Sequence, residues 1–114
     1  MSSTPIDWEQ LDMIADGFAP EFVEIYQEYL AEIPVLLSNL RQKIQENDAA
    51  QSARIAHQIK GSSANFGFIG ISQPIASLEQ EAKSGSLASA PSLLSQAENG
   101  FALAVAEVKS KQGV

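Results

Sequence analysis

The chain has 114 residues, and 14 Asp and Glu residues against 7 Lys and Arg residues give it a formal net charge of −7. This size predicts one globular domain over residues 1–114, and a field of that sign disfavours binding to nucleic acid or to an anionic membrane surface. The absence of cysteine excludes disulfides and thiolate chemistry, and a single histidine argues against a structural zinc site.

Apolar residues recur at three- and four-residue steps along most of the chain, which predicts an all-α protein. A short first helix has Thr4 or Asp7 as its cap and ends near Gly17. The second and longest helix starts at Pro20. Pro34 lies inside its apolar pattern, so we expect a kink there and not a stop.

Three more helices follow. The third is predicted over about Ala49–Phe66, the fourth opens at Ser72-Gln73-Pro74, and the fifth begins at Ser89 or Ala90. Residues from about 109 to 114 are predicted to fray. Because short loops make sequential helices antiparallel neighbours, the pattern predicts an up-down antiparallel four-helix bundle with a short additional N-terminal helix.

His57 lies on the outward side of the third helix. At about 100° per residue, Ile55 and Ile59 fall near the opposite side, where the core stripe runs. The side of His57 carries mostly small residues and two basic ones, namely Ala50, Ala53, Arg54, Lys60, Gly61 and Ala64. A glycine within an exposed helix costs ~1 kcal/mol relative to alanine. Such a face predicts a functional role, because it leaves the imidazole open to a partner's surface.

The chemistry that fits this face is nucleophilic. Part of an exposed imidazole population is unprotonated at neutral pH, and its free lone pair can attack phosphorus. Lys60 shares the face and can offset the charge of phosphoryl oxygens. The chain has neither a GxxxxGK[ST] phosphate loop nor a kinase glycine loop. We therefore expect the phosphoryl group to come from another protein, without autonomous ATP-dependent kinase activity.

The segment from His57 to Gly67 reads His-x-x-Lys-Gly-Ser-Ser-x-x-x-Gly. It resembles the motif of the histidine-containing phosphotransfer (HPt) domain of multistep two-component phosphorelays. Residues 78–83 are similar to the family's Leu-Glu-x-x-Ala-Arg/Lys stretch, and the resemblance covers essentially the whole domain. It implies that His57 accepts a phosphoryl group from a receiver-domain aspartyl phosphate and passes it to another receiver aspartate. Lys60 would stabilise the phosphoryl charge, and Gly61 would leave room for the receiver.

The resemblance also implies the partners, which are response-regulator receiver domains and a hybrid sensor histidine kinase. The receiver would supply Mg²⁺, so we expect this chain to bind no metal or cofactor. Arg54 is a possible aid to docking or charge balance. Ser62 and Ser63 are possible supporting residues whose hydroxyls are expected to bond the carbonyls of the preceding turn. Glu79 is expected to be an ordinary exposed helical residue.

We expect a cytoplasmic monomer. No apolar run reaches the ~18 residues of a membrane span, and the first residues lack the basic and apolar regions of a secretory signal. Two other functions stay open, a docking module that binds a receiver without accepting phosphate and an inhibitory bundle that blocks a kinase or regulator. Neither explains the small-residue face around His57 and Lys60.

Overall fold

The computed structural model describes residues 4–114, and this part of the chain contains five α-helices and no β-strand. In chain order the helices are α1 (Trp8–Ala15), α2 (Pro20–Gln45), α3 (Ala49–Asn65), α4 (Ile69–Lys83) and α5 (Ala90–Gln112). Helix α2 contacts α3, α3 contacts α4, α4 contacts α5, α5 contacts α2, and α1 lies against α2. The all-α prediction is confirmed. Between residues 4 and 114, no helix is both long and apolar enough to cross a membrane.

The helix starts follow local capping chemistry. Asp7 accepts a hydrogen bond from the backbone N–H of Gln10 at 3.3 Å, so Asp7 and not Thr4 caps α1. Asp48 caps α3 in the same way through the N–H of Gln51 at 3.0 Å. Helix α2 continues past Pro34, as predicted.

Helix α4 begins at Ile69, earlier than the predicted opening at residues 72–74. Gly67 ends the preceding turn with φ +72°, and Gly70 lies inside α4. The reason is tertiary packing. A Cβ added to Gly100 would lie 2.0 Å from the Gly70 carbonyl oxygen, so α4 and α5 approach at two glycines. The prediction of a later start was therefore wrong.

Helix α5 continues to Gln112, so it includes four of the residues for which the sequence predicted fraying. Contacts with α1 explain the extra turn. The indole Nε1–H of Trp8 donates to the carboxylate of Glu107, and the ammonium of Lys111 lies 4.8 Å from the Trp8 ring centroid. These contacts tie the last turns of α5 to the short first helix.

Aromatic rings fill the core at the C-terminal end of α3. Tyr29 stacks on Phe66 at 4.5 Å between centroids and meets Phe68 edge-on at 5.4 Å. Ile59 of α3 is fully buried, whereas Ile55 is only half-buried. Ile59 and Phe66 thus lie on the inner side of α3 and fix which side of the helix faces outward.

Candidate functional site

His57 projects from α3 with 67% of its side chain exposed, and the outward orientation predicted from the helical wheel is confirmed. Its helical neighbours Ala56 and Ile59 are fully buried. The opposite side of α3 is therefore anchored in the core. The imidazole is presented on a rigid helix and not on a loop.

Glu79 lies beneath the imidazole and contradicts the expectation of an exposed glutamate, because only 2% of the residue is accessible. One carboxylate oxygen, Oε2, lies 2.9 Å from His57 Nδ1 and 3.0 Å from Lys83 Nζ. The other oxygen, Oε1, lies 2.7 Å from Lys60 Nζ. We call these four residues, His57, Lys60, Glu79 and Lys83, the Glu79 cluster. It joins α3 to α4.

Two opposing effects act on the carboxyl of Glu79. Burial raises its pKa, because a carboxylate loses hydration inside a protein. Hydrogen bonds from Lys60, Lys83 and His57, together with the charge of Lys60, outweigh burial and lower the pKa from 4.5 to about 2. Glu79 is therefore ionised at neutral pH and accepts hydrogen bonds at both oxygens.

An ionised carboxylate fixes the tautomer of the ring. Because Glu79 can only accept, Nδ1 of His57 carries the hydrogen in the 2.9 Å contact. In the neutral imidazole the lone pair then lies on Nε2, the nitrogen that Glu79 does not hold. The arrangement orients the ring and leaves one nitrogen free to act as a nucleophile.

Gly61 lies one turn after His57 on an exposed part of α3. A Cβ added there would meet nothing within 4 Å, and no positive φ requires glycine at this position. Neither crowding between helices nor backbone conformation explains the glycine. Exposed Ala64 extends the same open surface.

The three supporting candidates lie outside the Glu79 cluster. The hydroxyl of Tyr29 donates to Ser63 Oγ at 2.7 Å in the core, which is a partner that the sequence did not predict. Ser62 is half-buried and lines a shallow cavity of about 240 Å³ between α2 and α3. Arg54 is exposed, one turn before His57.

Glu79 and Lys83 are the residues that sequence reasoning missed as part of the site. A signal was present in the sequence of α4. Glu79 follows Ile75 by four residues and precedes Ala82 by three, so it shares their apolar face. Ile75, Glu79 and Ala82 are all buried. A glutamate on a core-facing stripe needs a cationic partner, and Lys83 lies four residues further on.

The fold and the Glu79 cluster define an all-α domain that carries an exposed histidine oriented by a buried carboxylate. The family model of the Hpt domain matches residues 24–110. The chain therefore belongs to the Hpt domain family, which supports a histidine phosphotransfer role in phosphorelays. Its fold is similar to the crystal structure of histidine-containing phosphotransfer protein B from Pseudomonas aeruginosa PAO1, with a TM-score of 0.87 and 25% identity over 99% of both chains. No curated protein matches the chain.

Proposed function

We propose that His57 accepts a phosphoryl group from the aspartyl phosphate of one receiver domain and passes it to the aspartate of another. The observation that carries this proposal is the contact of 2.9 Å between His57 Nδ1 and the buried carboxylate of Glu79. A surface histidine with no role needs no such support. Here a carboxylate only 2% exposed orients a ring that is itself 67% exposed.

The transfer step follows from this geometry. The lone pair on Nε2 forms the N–P bond while the O–P bond of the aspartyl phosphate breaks, and the bonding electrons leave with the aspartate carboxylate. Nδ1 keeps its hydrogen, so the phosphorylated ring becomes a cation beside ionised Glu79. This pairing stabilises the intermediate electrostatically. The reverse of the same step delivers the group to the second receiver.

The proposal gives Lys60 and Gly61 the roles that the sequence suggested. The Lys60 ammonium lies 2.7 Å from Glu79 Oε1 and its side chain is about one-third exposed, so it can turn towards the phosphoryl oxygens. Its charge offsets theirs as the group arrives. Gly61 leaves the surface beside the ring open, which allows the receiver to bring its aspartyl phosphate close to Nε2.

The proposal includes the architecture and the partners. Helices α2 to α5 form an up-down antiparallel four-helix bundle with α1 added at one end, which the closed ring of contacts from α2 through α5 supports. The partners are receiver domains, which supply Mg²⁺, and a hybrid sensor histidine kinase. The chain acts as a cytoplasmic monomer and binds no metal or cofactor of its own.

Transfer of a labelled phosphoryl group from a phosphorylated receiver domain in the presence of Mg²⁺ tests this function. We expect acid-labile, alkali-stable label on the wild-type chain and none on His57→Gln. Gln58→Ala changes the exposed neighbour of His57 and should be labelled like the wild type. Label retained by His57→Gln contradicts the assignment, and binding without label across a panel of receivers favours the docking module.

A further inference from the structure

A shallow groove runs between α2 and α3 and combines an apolar floor with an acidic side. Its cavity of about 240 Å³ has the buried rings of Tyr29 and Phe66 as its floor. Glu28 and Glu32 line it from α2. Ile25 lines it as well, and 54% of this residue is exposed. The groove therefore offers both an apolar surface and negative charge to a partner.

The groove joins the open surface beside His57. At about 100° per residue, Gly61 lies about 40° from His57 around α3, and Ser62, which lines the groove, lies about 140° in the same direction. Lys60, which contacts Glu79 of α4, lies about 60° in the other direction. Because Gly61 has no side chain and open space around it, the surface continues from the imidazole to the groove. Ser62 is only about 7.5 Å from His57 along the helix axis, so a protein bound at His57 covers the groove.

The acidic side of the groove belongs to a longer series of carboxylates on α2. Glu24, Glu28 and Glu32 follow one another at four-residue steps, and all three are exposed. Like charges at this spacing destabilise a helix. In the part of the chain that the structure describes, none of the three pairs with a lysine or arginine. The α2 side of His57 is therefore negative, whereas the α4 side has two ammonium groups and one carboxylate.

We propose that the groove between α2 and α3 binds a lysine or arginine side chain of the receiver domain, and that this contact selects receivers with a basic residue beside their phosphorylation site. This inference rests on the proposed function of His57. The apolar stem of the receiver's side chain packs on Ile25 and the floor of the groove, and its charged head lies between Glu28 and Glu32. Opposite charges on the two sides of His57 also fix the orientation of the bound receiver.

Charge reversal in the groove tests this inference. We expect Glu28→Lys and Glu32→Lys each to slow transfer from the phosphorylated receiver about tenfold at low salt, and the loss to shrink at high salt. Labelling by phosphoramidate, a small donor that needs no receiver, should change less than about twofold, because His57 itself is unaltered. Glu46→Lys is the matched control. It makes the same reversal at the end of α2, roughly 21 Å along the helix from Glu32, and should accept phosphate from the receiver at the wild-type rate.

A compensating change in the receiver identifies the bound side chain. Replacing that lysine or arginine of the receiver by glutamate should slow transfer to the wild-type chain and restore transfer to Glu32→Lys. The inference is overturned if both groove variants accept phosphate from the receiver as fast as Glu46→Lys does. It is also overturned if Ile25→Ser slows that transfer while both charge reversals leave it unchanged, since the groove then holds an apolar side chain. Failure of both donors to label the wild-type chain would instead contradict the proposed function of His57.

Discussion

At the scale of single residues, the site depends on a buried carboxylate beneath an exposed imidazole. Glu79 receives hydrogen bonds from three side chains, which stabilises its charge in a place where burial alone disfavours it. The sequence identified His57 and Lys60 through their shared face on one helix. It did not identify Glu79, because the contact crosses from α3 to α4 and depends on how the two helices pack.

Glu79 also predicts how stability depends on pH. Its folded-state pKa of about 2 lies below the ordinary 4.5, so its stabilisation is present above pH 4.5 and is lost as the pH falls towards 2. A shift of that size corresponds to about 3 kcal/mol for a buried group. We expect Glu79→Gln to lower the free energy of unfolding by about this amount at pH 7, measured by urea denaturation, and the difference to shrink below pH 4.5.

Glu46→Gln is the control for this measurement, because it removes an exposed carboxylate that pairs with Lys43 at the C-terminal end of α2. Its effect on the free energy of unfolding should be small at every pH, because water screens an exposed ion pair. If the free energies of unfolding of the wild type and Glu79→Gln differ by the same amount from pH 7 down to pH 3, the charge of Glu79 is not what stabilises the fold.

At the scale of helices, the sequence predicted correctly the helix bounds that depend on neighbouring residues and missed those that depend on distant contacts. Asp48 and Pro20 mark the starts of α3 and α2 where the sequence placed them, because caps and first-turn prolines act within a few residues. The start of α4 was wrong because Gly70 packs against Gly100, thirty residues away. The last turn of α5 was missed for the same kind of reason, since its contact with Trp8 joins opposite ends of the chain.

Gly61 allows a prediction at this scale. Because its position has open space and a helical backbone, Gly61→Ala should raise the free energy of unfolding by about 1 kcal/mol, measured by urea denaturation. Gly61→Gln should lower receiver-dependent transfer about tenfold, which corresponds to ~1.4 kcal/mol of binding. The loss should be smaller with phosphoramidate, which needs no room for a protein.

Comparing the phosphorylated receiver with phosphoramidate as phosphoryl donors tests whether Gly61 provides access for the receiver. Equal losses with the receiver and with phosphoramidate would place the effect of Gly61→Gln on the chemistry of His57 and not on access. Normal transfer from the receiver would remove the access role altogether. Gly85→Gln is not a suitable control, because Gly85 has φ +90° and the substitution would strain the backbone. Ala64→Gln enlarges a second exposed small residue of α3 and should also slow transfer from the receiver.

At the scale of the whole molecule, a strongly acidic chain carries a local excess of positive charge beside His57. The net charge of −7 predicts weak binding to anionic polymers, but a net charge does not describe the charge at one place on the surface. The Glu79 cluster shows that charge near His57 has the opposite sign. Composition alone does not reveal this, because it depends on two helices that bring Lys60 and Lys83 to one buried carboxylate.

The central claim is that Glu79 holds Nδ1 of His57 and leaves Nε2 to react. NMR of the phosphorylated chain with ¹⁵N-labelled histidine tests it most directly, because the spectrum reports which ring nitrogen is bonded to phosphorus. His57 is the only histidine in the chain, so the signals need no further assignment. We expect phosphorus on Nε2 and hydrogen on Nδ1. Phosphorus on Nδ1 would contradict the account, since the carboxylate of Glu79 lies at that nitrogen.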